Sequence, residues 1–220
     1  MSIGLFETLR IRDGRIPFLA EHLARLGAGL WRLGLERAPP GLEHRLRSLA
    51  YVGEGVLRVT IDATGEKIET RAVPPLGALR LVTATVRHRA YPIKSTDRSP
   101  FDEARAEAER RGADEGMLLT ADGYLAEGSF TSLFFWSDEL LCTPDLGLGI
   151  LPGIGRARVI ALARKAHFAL AEGRFAPDAL QDAAPLLVNA VRGVMEVGSL
   201  DGSPIRSDPR TVSLLEGFWG

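Results

Sequence analysis

The 220-residue chain has little of what would tie it to a disulfide, a metal or a membrane. Cys142 is the only cysteine, so an intrachain disulfide is excluded and a cytoplasmic setting is expected. The four histidines, His22, His44, His88 and His167, are far apart and show no ligand spacing, so no metal is expected. Twenty-seven basic residues against 28 acidic ones leave a net charge of −1, interspersed along the chain. That balance offers no footprint for nucleic acid or an anionic membrane. No uncharged apolar run approaches the roughly 20 residues that span a bilayer. The N-terminus lacks the basic-then-apolar layout of a signal peptide, and none is expected. Lysine is scarce too: Lys67, Lys94 and Lys165 stand against 24 arginines. Arginine stays protonated, whereas a desolvated lysine amine can act as nucleophile or base. Lys94, at the end of a predicted strand, is therefore a candidate, although position alone reads it as a solvated loop lysine.

What is present suggests an α+β protein large enough for one domain or two small ones. Residues 3–12 have strand composition, Asp13-Gly14 is a hairpin turn signal, and residues 15–18 form a short return. Leu19, Leu23, Leu26 and Leu30 recur at helical spacing, predicting a helix over 19–33 with Gly34 as its stop. On this periodicity Arg25 is a solvated cation at the edge of the apolar face. A second helix is predicted over 42–49, and strands over 53–64, 67–73 and 79–87. Residues 1–87 thus read as a small N-terminal domain, 88–92 as a linker, and 93–220 as a larger C-terminal domain. In the latter, residues 100–111 predict an amphipathic helix closed by Gly112. An antiparallel meander follows through residues 115–142. Pro152 opens a helix to about Ala166, with Gly153 and Gly155 leaving its N–H groups open to an anion. A short helix is predicted at 177–181 and a buried strand at 186–189, continued by residues 191–197. Cys142 reads as core packing, and Trp31, Trp136 and Trp219 as packing or interface residues.

Several runs, in order, resemble the fold-type IV pyridoxal phosphate (PLP) enzymes, the class IV aminotransferases. They are Leu5-Phe6-Glu7-Thr8-Leu9-Arg10, Glu21-His22-Leu23-Ala24-Arg25-Leu26, Lys94-Ser95-Thr96-Asp97-Arg98 and Gly112-Ala113-Asp114-Glu115. Gly123-Tyr124-Leu125-Ala126-Glu127-Gly128-Ser129, Gly149-Ile150-Leu151-Pro152-Gly153-Ile154 and Val188-Asn189-Ala190-Val191-Arg192-Gly193-Val194 complete the set. The resemblance covers nearly the whole chain. It implies a two-domain fold like that of D-amino acid aminotransferase, with PLP in the interdomain cleft, in a cytoplasmic homodimer acting on a small amino substrate. It also implies that Lys94 is the Schiff-base lysine and that Glu127 pairs with the pyridine nitrogen. Arg25 would bind phosphate, which reverses its solvated reading. Ile154 and Gly155 would offer helix-start N–H groups to the phosphate, and Asn189 and Ala190 a second loop.

The chain departs from many family members at Gly155 and Ala190, where those carry phosphate-binding threonines, and at Ser99, where they carry tyrosine. Lys94-Ser95-Thr96-Asp97-Arg98, Asn189-Ala190 and the short chain resemble aminodeoxychorismate lyases, which release pyruvate and 4-aminobenzoate, a folate precursor. A branched-chain or D-amino acid aminotransferase is the alternative, and a non-catalytic PLP-binding module a third reading. Arg98 or Arg192 is expected to meet a substrate carboxylate.

Overall fold

A computed structural model describes residues 3–35, 38–50, 53–75 and 77–220. The chain forms two compact units: residues 1–75, 93–97 and 190–192, and residues 76–92, 98–189 and 193–220.

In the first unit, β1 (Leu5–Ile11) is followed by α1 (Leu19–Arg32), α2 (Leu42–Leu49), β2 (Gly55–Asp62) and β3 (Gly65–Arg71). The strands form an antiparallel sheet in the order β1-β2-β3. Period-2 alternation puts Leu5, Leu9 and Ile11 of β1 beside Leu57, Val59 and Ile61 of β2, in one core with Leu19, Leu26, Leu30, Leu42 and Leu46 of the helices. The Asp13-Gly14 turn forms, but it is closed by a single bridge between Arg12 and Arg15 rather than by a return strand. Pro17 has no N–H to give such a strand and Phe18 is left-handed at φ 59°. The partner of β1 is β2, from Leu5 opposite Ile61 to Ile11 opposite Gly55.

Residues 93–97 also belong to this unit, not to the one expected to begin at residue 93. Ser95 bridges Leu5, Phe6 N donates to Lys94 O at 3.0 Å, and Thr96 N donates to Gly4 O at 2.8 Å. Gly4 N returns a bond to Thr96 Oγ1 at 3.0 Å. The physical cause is the exposed edge of β1, whose backbone groups need partners on the side away from β2.

The second unit begins with β4 (Leu79–Arg87), α3 (Ser99–Arg110), β5 (Glu115–Leu119), β6 (Leu125–Gly128), β7 (Ser132–Ser137) and β8 (Leu140–Pro144). It continues with α4 (Ile154–Lys165), β9 (Ala169–Gly173), β10 (Ala184–Asn189), β11 (Gly193–Leu200), β12 (Ser203–Pro204) and α5 (Thr211–Gly217). Its sheet runs β6-β5-β4-β11-β10-β7-β8-β9, with β12 beside β11. Within residues 115–142 the expected antiparallel pairs form, β5 with β6 and β7 with β8, but β6 and β7 are not neighbours in the sheet, so the run is two hairpins rather than one meander. Around them β4–β5, β4–β11 and β8–β9 pair in parallel. Strand β4 lies inside this sheet, so the division falls near Pro74-Pro75 rather than at residue 87. Residues 191–197 do not prolong β10. The chain turns at 190–192 and comes back as β11, with Gly193 at φ 76°.

Cys142 lies in the core of this unit with Phe135, Leu187 and Met195, and burial raises its thiol pKa. Trp136 is buried and its indole donates to Thr211 Oγ1 at 3.1 Å. Trp31, by contrast, is exposed. Among the described residues no helix is long and apolar enough to cross a membrane, and no group of three or more His, Cys, Asp or Glu could hold a metal.

Candidate active site

The first unit gathers four charged or polar side chains around β1 and α1. Glu7 occupies a core-facing position of β1, between Leu5 and Leu9, and is only 2% exposed. It survives there because α1 brings two donors to it. Arg25 grips it in a two-point fork, Nε to Oε1 and Nη2 to Oε2, each at 2.7 Å. His22 Nδ1 reaches Oε2 at 2.7 Å. Burial alone would push the Glu7 carboxyl up, but the bonds and charges of Arg25 and His22 outweigh it and hold its pKa at about 2. Burial lowers the pKa of His22, opposed by Glu7 and assisted by the charges of Arg25 and Lys94. A neutral His22 that donates through Nδ1 carries its lone pair on Nε2, which is buried with no hydrogen-bond partner among the described residues. The Lys94 amine lies 4.7 Å from the centre of the Phe6 ring. Lys94, Arg25, Glu7 and His22 therefore form one electrostatically coupled group.

In the second unit Glu127 lies on β6, 4% exposed. Its Oε1 accepts two bonds at 3.0 Å, from His88 Nε2 and from the Leu151 backbone N–H. The loop that delivers Leu151 is tied down where Tyr91 N donates to Gly149 O at 2.7 Å. Ser129, just beyond β6, is clamped from two sides. Its N–H and hydroxyl donate to Glu115 Oε1 at 2.6 and 2.5 Å. Its carbonyl accepts from Arg98 Nη2. Arg98 also contacts Asp102 and lies over the Phe101 ring, so the structure places it as a brace for this loop. Glu115 is fully buried, and burial raises its pKa to about 7 against the opposing hydrogen bonds.

The start of α4 lies in the same unit. Its first intrahelical bond is Ala157 N to Gly153 O, and no side chain caps it. The N–H groups of Ile154, Gly155 and Arg156 thus have no helical partner, a layout suited to an anion. A Cβ on Gly155 would lie 2.9 Å from both the Asn189 carbonyl carbon and Val188 Cγ1. The missing threonine hydroxyl at this position is therefore a consequence of close packing between α4 and the end of β10. Asn189 Nδ2 is 3.5 Å from Phe130 O. Ala190 and Arg192 lie in the turn between β10 and β11, part of the 190–192 segment that groups with the first unit.

The profile of the Amino-transferase class IV family matches residues 4–200. The chain belongs to this family. It is 27% identical over 209 residues to a probable branched-chain-amino-acid aminotransferase of Rickettsia bellii, covering 82% of this chain and 72% of that protein. It is 26% identical over 208 residues to the aminodeoxychorismate lyase of Bacillus subtilis, covering 81% and 71%. The structure of 4-amino-4-deoxychorismate lyase from Pseudomonas aeruginosa superposes with a TM-score of 0.86 at 26% identity, covering 97% of this chain and 88% of that one. The class IV aminotransferases are PLP-dependent enzymes, and PLP is the cofactor of this chain. The residues present fit it. There is a lysine amine, an uncapped helix start for a phosphate, and a buried carboxylate with one oxygen, Oε2, that takes no hydrogen bond among the described residues.

Sequence reasoning missed Glu7, His22 and His88. Two of them left a signal. Glu7 interrupts the apolar series Leu5, Leu9, Ile11 at a core register, and His22 falls between Leu19 and Leu26 on the apolar face of α1.

Proposed function

We propose that this class IV enzyme is a 4-amino-4-deoxychorismate lyase that releases pyruvate and leaves 4-aminobenzoate. The likeness to the Bacillus subtilis and Pseudomonas aeruginosa lyases supports this reading, as do the Lys94–Arg98 and Asn189-Ala190 runs. Carrying the chemistry is Glu127, buried, with one oxygen saturated and the other left for a pyridine N–H. PLP, when bound, supplies an electron sink for the pair left when the proton departs from the amine-bearing carbon. Lys94 would supply the amine that holds the cofactor and would serve as general base for that proton. Glu127 would pair with the ring nitrogen and favour its protonated form. The N–H groups of Ile154 and Gly155 would bind the phosphate, and Arg25, whose guanidinium Glu7 holds through Nε and Nη2, would be its side-chain donor. Asn189 and Ala190 would contribute to the phosphate site from their loop.

Arg98 or Arg192 would meet the substrate carboxylates; Arg98 also braces Ser129 and contacts Asp102. We take the protein to work as a cytoplasmic homodimer in 4-aminobenzoate supply for folate synthesis. The test is release of pyruvate and 4-aminobenzoate in equal amounts from aminodeoxychorismate by PLP-loaded protein, abolished in Lys94→Ala. The second reading, an aminotransferase, is favoured by the Rickettsia bellii relative. It would be adopted if the loaded protein released no pyruvate but passed the amino group of a branched-chain or D-amino acid to a 2-oxo acid.

A further inference from the structure

We infer that His88 is the positioning residue for Glu127, an inference that rests on the PLP reading above. Glu127 can serve a pyridine N–H only if its carboxylate is held in one rotation. Its Oε1 takes bonds from His88 Nε2 and Leu151 N, both at 3.0 Å, and Oε2 takes none among the described residues. A carboxylate only accepts, so His88 carries a proton on Nε2. The ring is itself immobilised. The backbone N–H of His88 donates to Leu119 O at 2.8 Å, and Phe101 meets the ring edge-on, 5.6 Å between centres at 87°. Phe101 is buried and packs against Tyr91 at 4.7 Å. His88 thus has two of its connections in the core and one on the carboxylate.

His88 also lines an open cleft of about 230 Å³ with Thr120, Asp122, Leu148 and Arg174. The ring donates the bond that fixes which oxygen of the carboxylate is presented. Leu151 alone cannot do this, because a single backbone donor leaves the carboxylate free to rotate about Cγ–Cδ. Loss of a buried charge-assisted bond is the kind of change that weakens a held cofactor by on the order of tenfold.

The experiment compares wild type, His88→Leu and His88→Gln by PLP titration, by the absorbance band of the Lys94-linked cofactor, and by melting temperature without PLP. Leucine removes the donor and keeps apolar bulk; glutamine places an N–H where Nε2 stands. The expected result is a roughly tenfold or greater rise in the PLP dissociation constant and a displaced absorbance band in His88→Leu, with most of both restored in His88→Gln. A His88→Leu protein with wild-type spectrum and PLP affinity would overturn the inference. So would a His88→Gln protein that melts like wild type yet binds PLP as poorly as His88→Leu. If His88→Leu does not fold, His88→Gln decides alone: near-wild-type spectrum and affinity support the donor role, and their loss refutes it. Wild-type protein that gains no band with PLP would instead bring down the cofactor reading itself.

Discussion

Replacing Gly155 by alanine or threonine is expected to cost stability before it can add any contact to a phosphate. The nearest atoms to a new Cβ are the Asn189 carbonyl carbon and Val188 Cγ1, both at 2.9 Å, with Asn189 Cα at 3.1 Å. Two of these three belong to the backbone at the end of β10, which cannot rotate away. Either α4 must shift its first turn or β10 must yield, and overpacking of this kind costs about 1–3 kcal/mol. For a protein of this size each kcal/mol lowers the melting temperature by roughly 2–4 °C, so Gly155→Ala should melt about 2–12 °C below wild type. Threonine should do at least as badly, since its branched Cβ carries two more heavy atoms into the same gap. The assay is thermal unfolding without PLP, followed by PLP titration at a temperature where both proteins are folded. A displaced α4 start should weaken PLP binding as well. The reasoning fails if Gly155→Ala melts with wild type. It fails more completely if Gly155→Thr melts with wild type and binds PLP more tightly, because the space for a hydroxyl would then have been there all along.

Glu7→Gln should unfold about 3 kcal/mol more easily at pH 7, because it leaves Arg25 without its buried counter-ion; urea unfolding at pH 7 measures this. The folded Glu7 pKa lies near 2, below its usual 4.5, so its stabilisation is fully present above about 4.5 and drains away as pH falls toward 2. The acid limb of the wild-type stability profile should accordingly be flatter in Glu7→Gln. Glu115 works in the opposite sense: its folded pKa near 7 lies above 4.5, so it costs the fold nothing below 4.5 and progressively more up to pH 7, about 3 kcal/mol in full. Glu115→Gln should remove that decline between pH 5 and 8, as read from denaturant midpoints. Arg98→Ala should lower the melting temperature by loosening Ser129, and if Arg192 meets a substrate carboxylate, Arg192→Ala should raise KM by about tenfold or more in steady-state kinetics.

Local pattern was legible where one element decides its own fate. The second helix runs over residues 42–49 and the fourth strand over 79–87, both as read from the chain alone, because apolar spacing and flanking prolines mark them without reference to a partner. What could not be read was pairing. Nothing in Leu79–Arg87 says that it will lie between β5 and β11, so it was grouped with the strands that precede it. Nothing in Ile93–Asp97 says that it will close the edge of β1. Strand β9 was missed because Ala169-Leu170-Ala171-Glu172-Gly173 has poor strand propensity and is held by its parallel pairing with β8. At the site, Lys94, Arg25 and Glu127 came from resemblance to a family, which fixes roles by position. Their partners did not, since the spacing between His88 and Glu127 in sequence carries no trace of a 3.0 Å contact.

Two of the buried glutamates show why partners rather than burial settle a charge. Glu7 and Glu115 are both removed from water, and in both burial is the largest influence and pushes the carboxyl upward. They part because of what donates to them. Arg25 brings a full positive charge through two bonds to Glu7, and His22 adds a third. Glu115 receives its bonds from the neutral N–H and hydroxyl of Ser129 and from Thr131. Neutral dipoles offset only part of the lost hydration, whereas a fixed cation more than offsets it. Glu7 therefore stays an anion down to acid pH and keeps Arg25 fixed at one edge. Glu115 sits at the edge of titration near neutrality while holding the loop that follows Glu127.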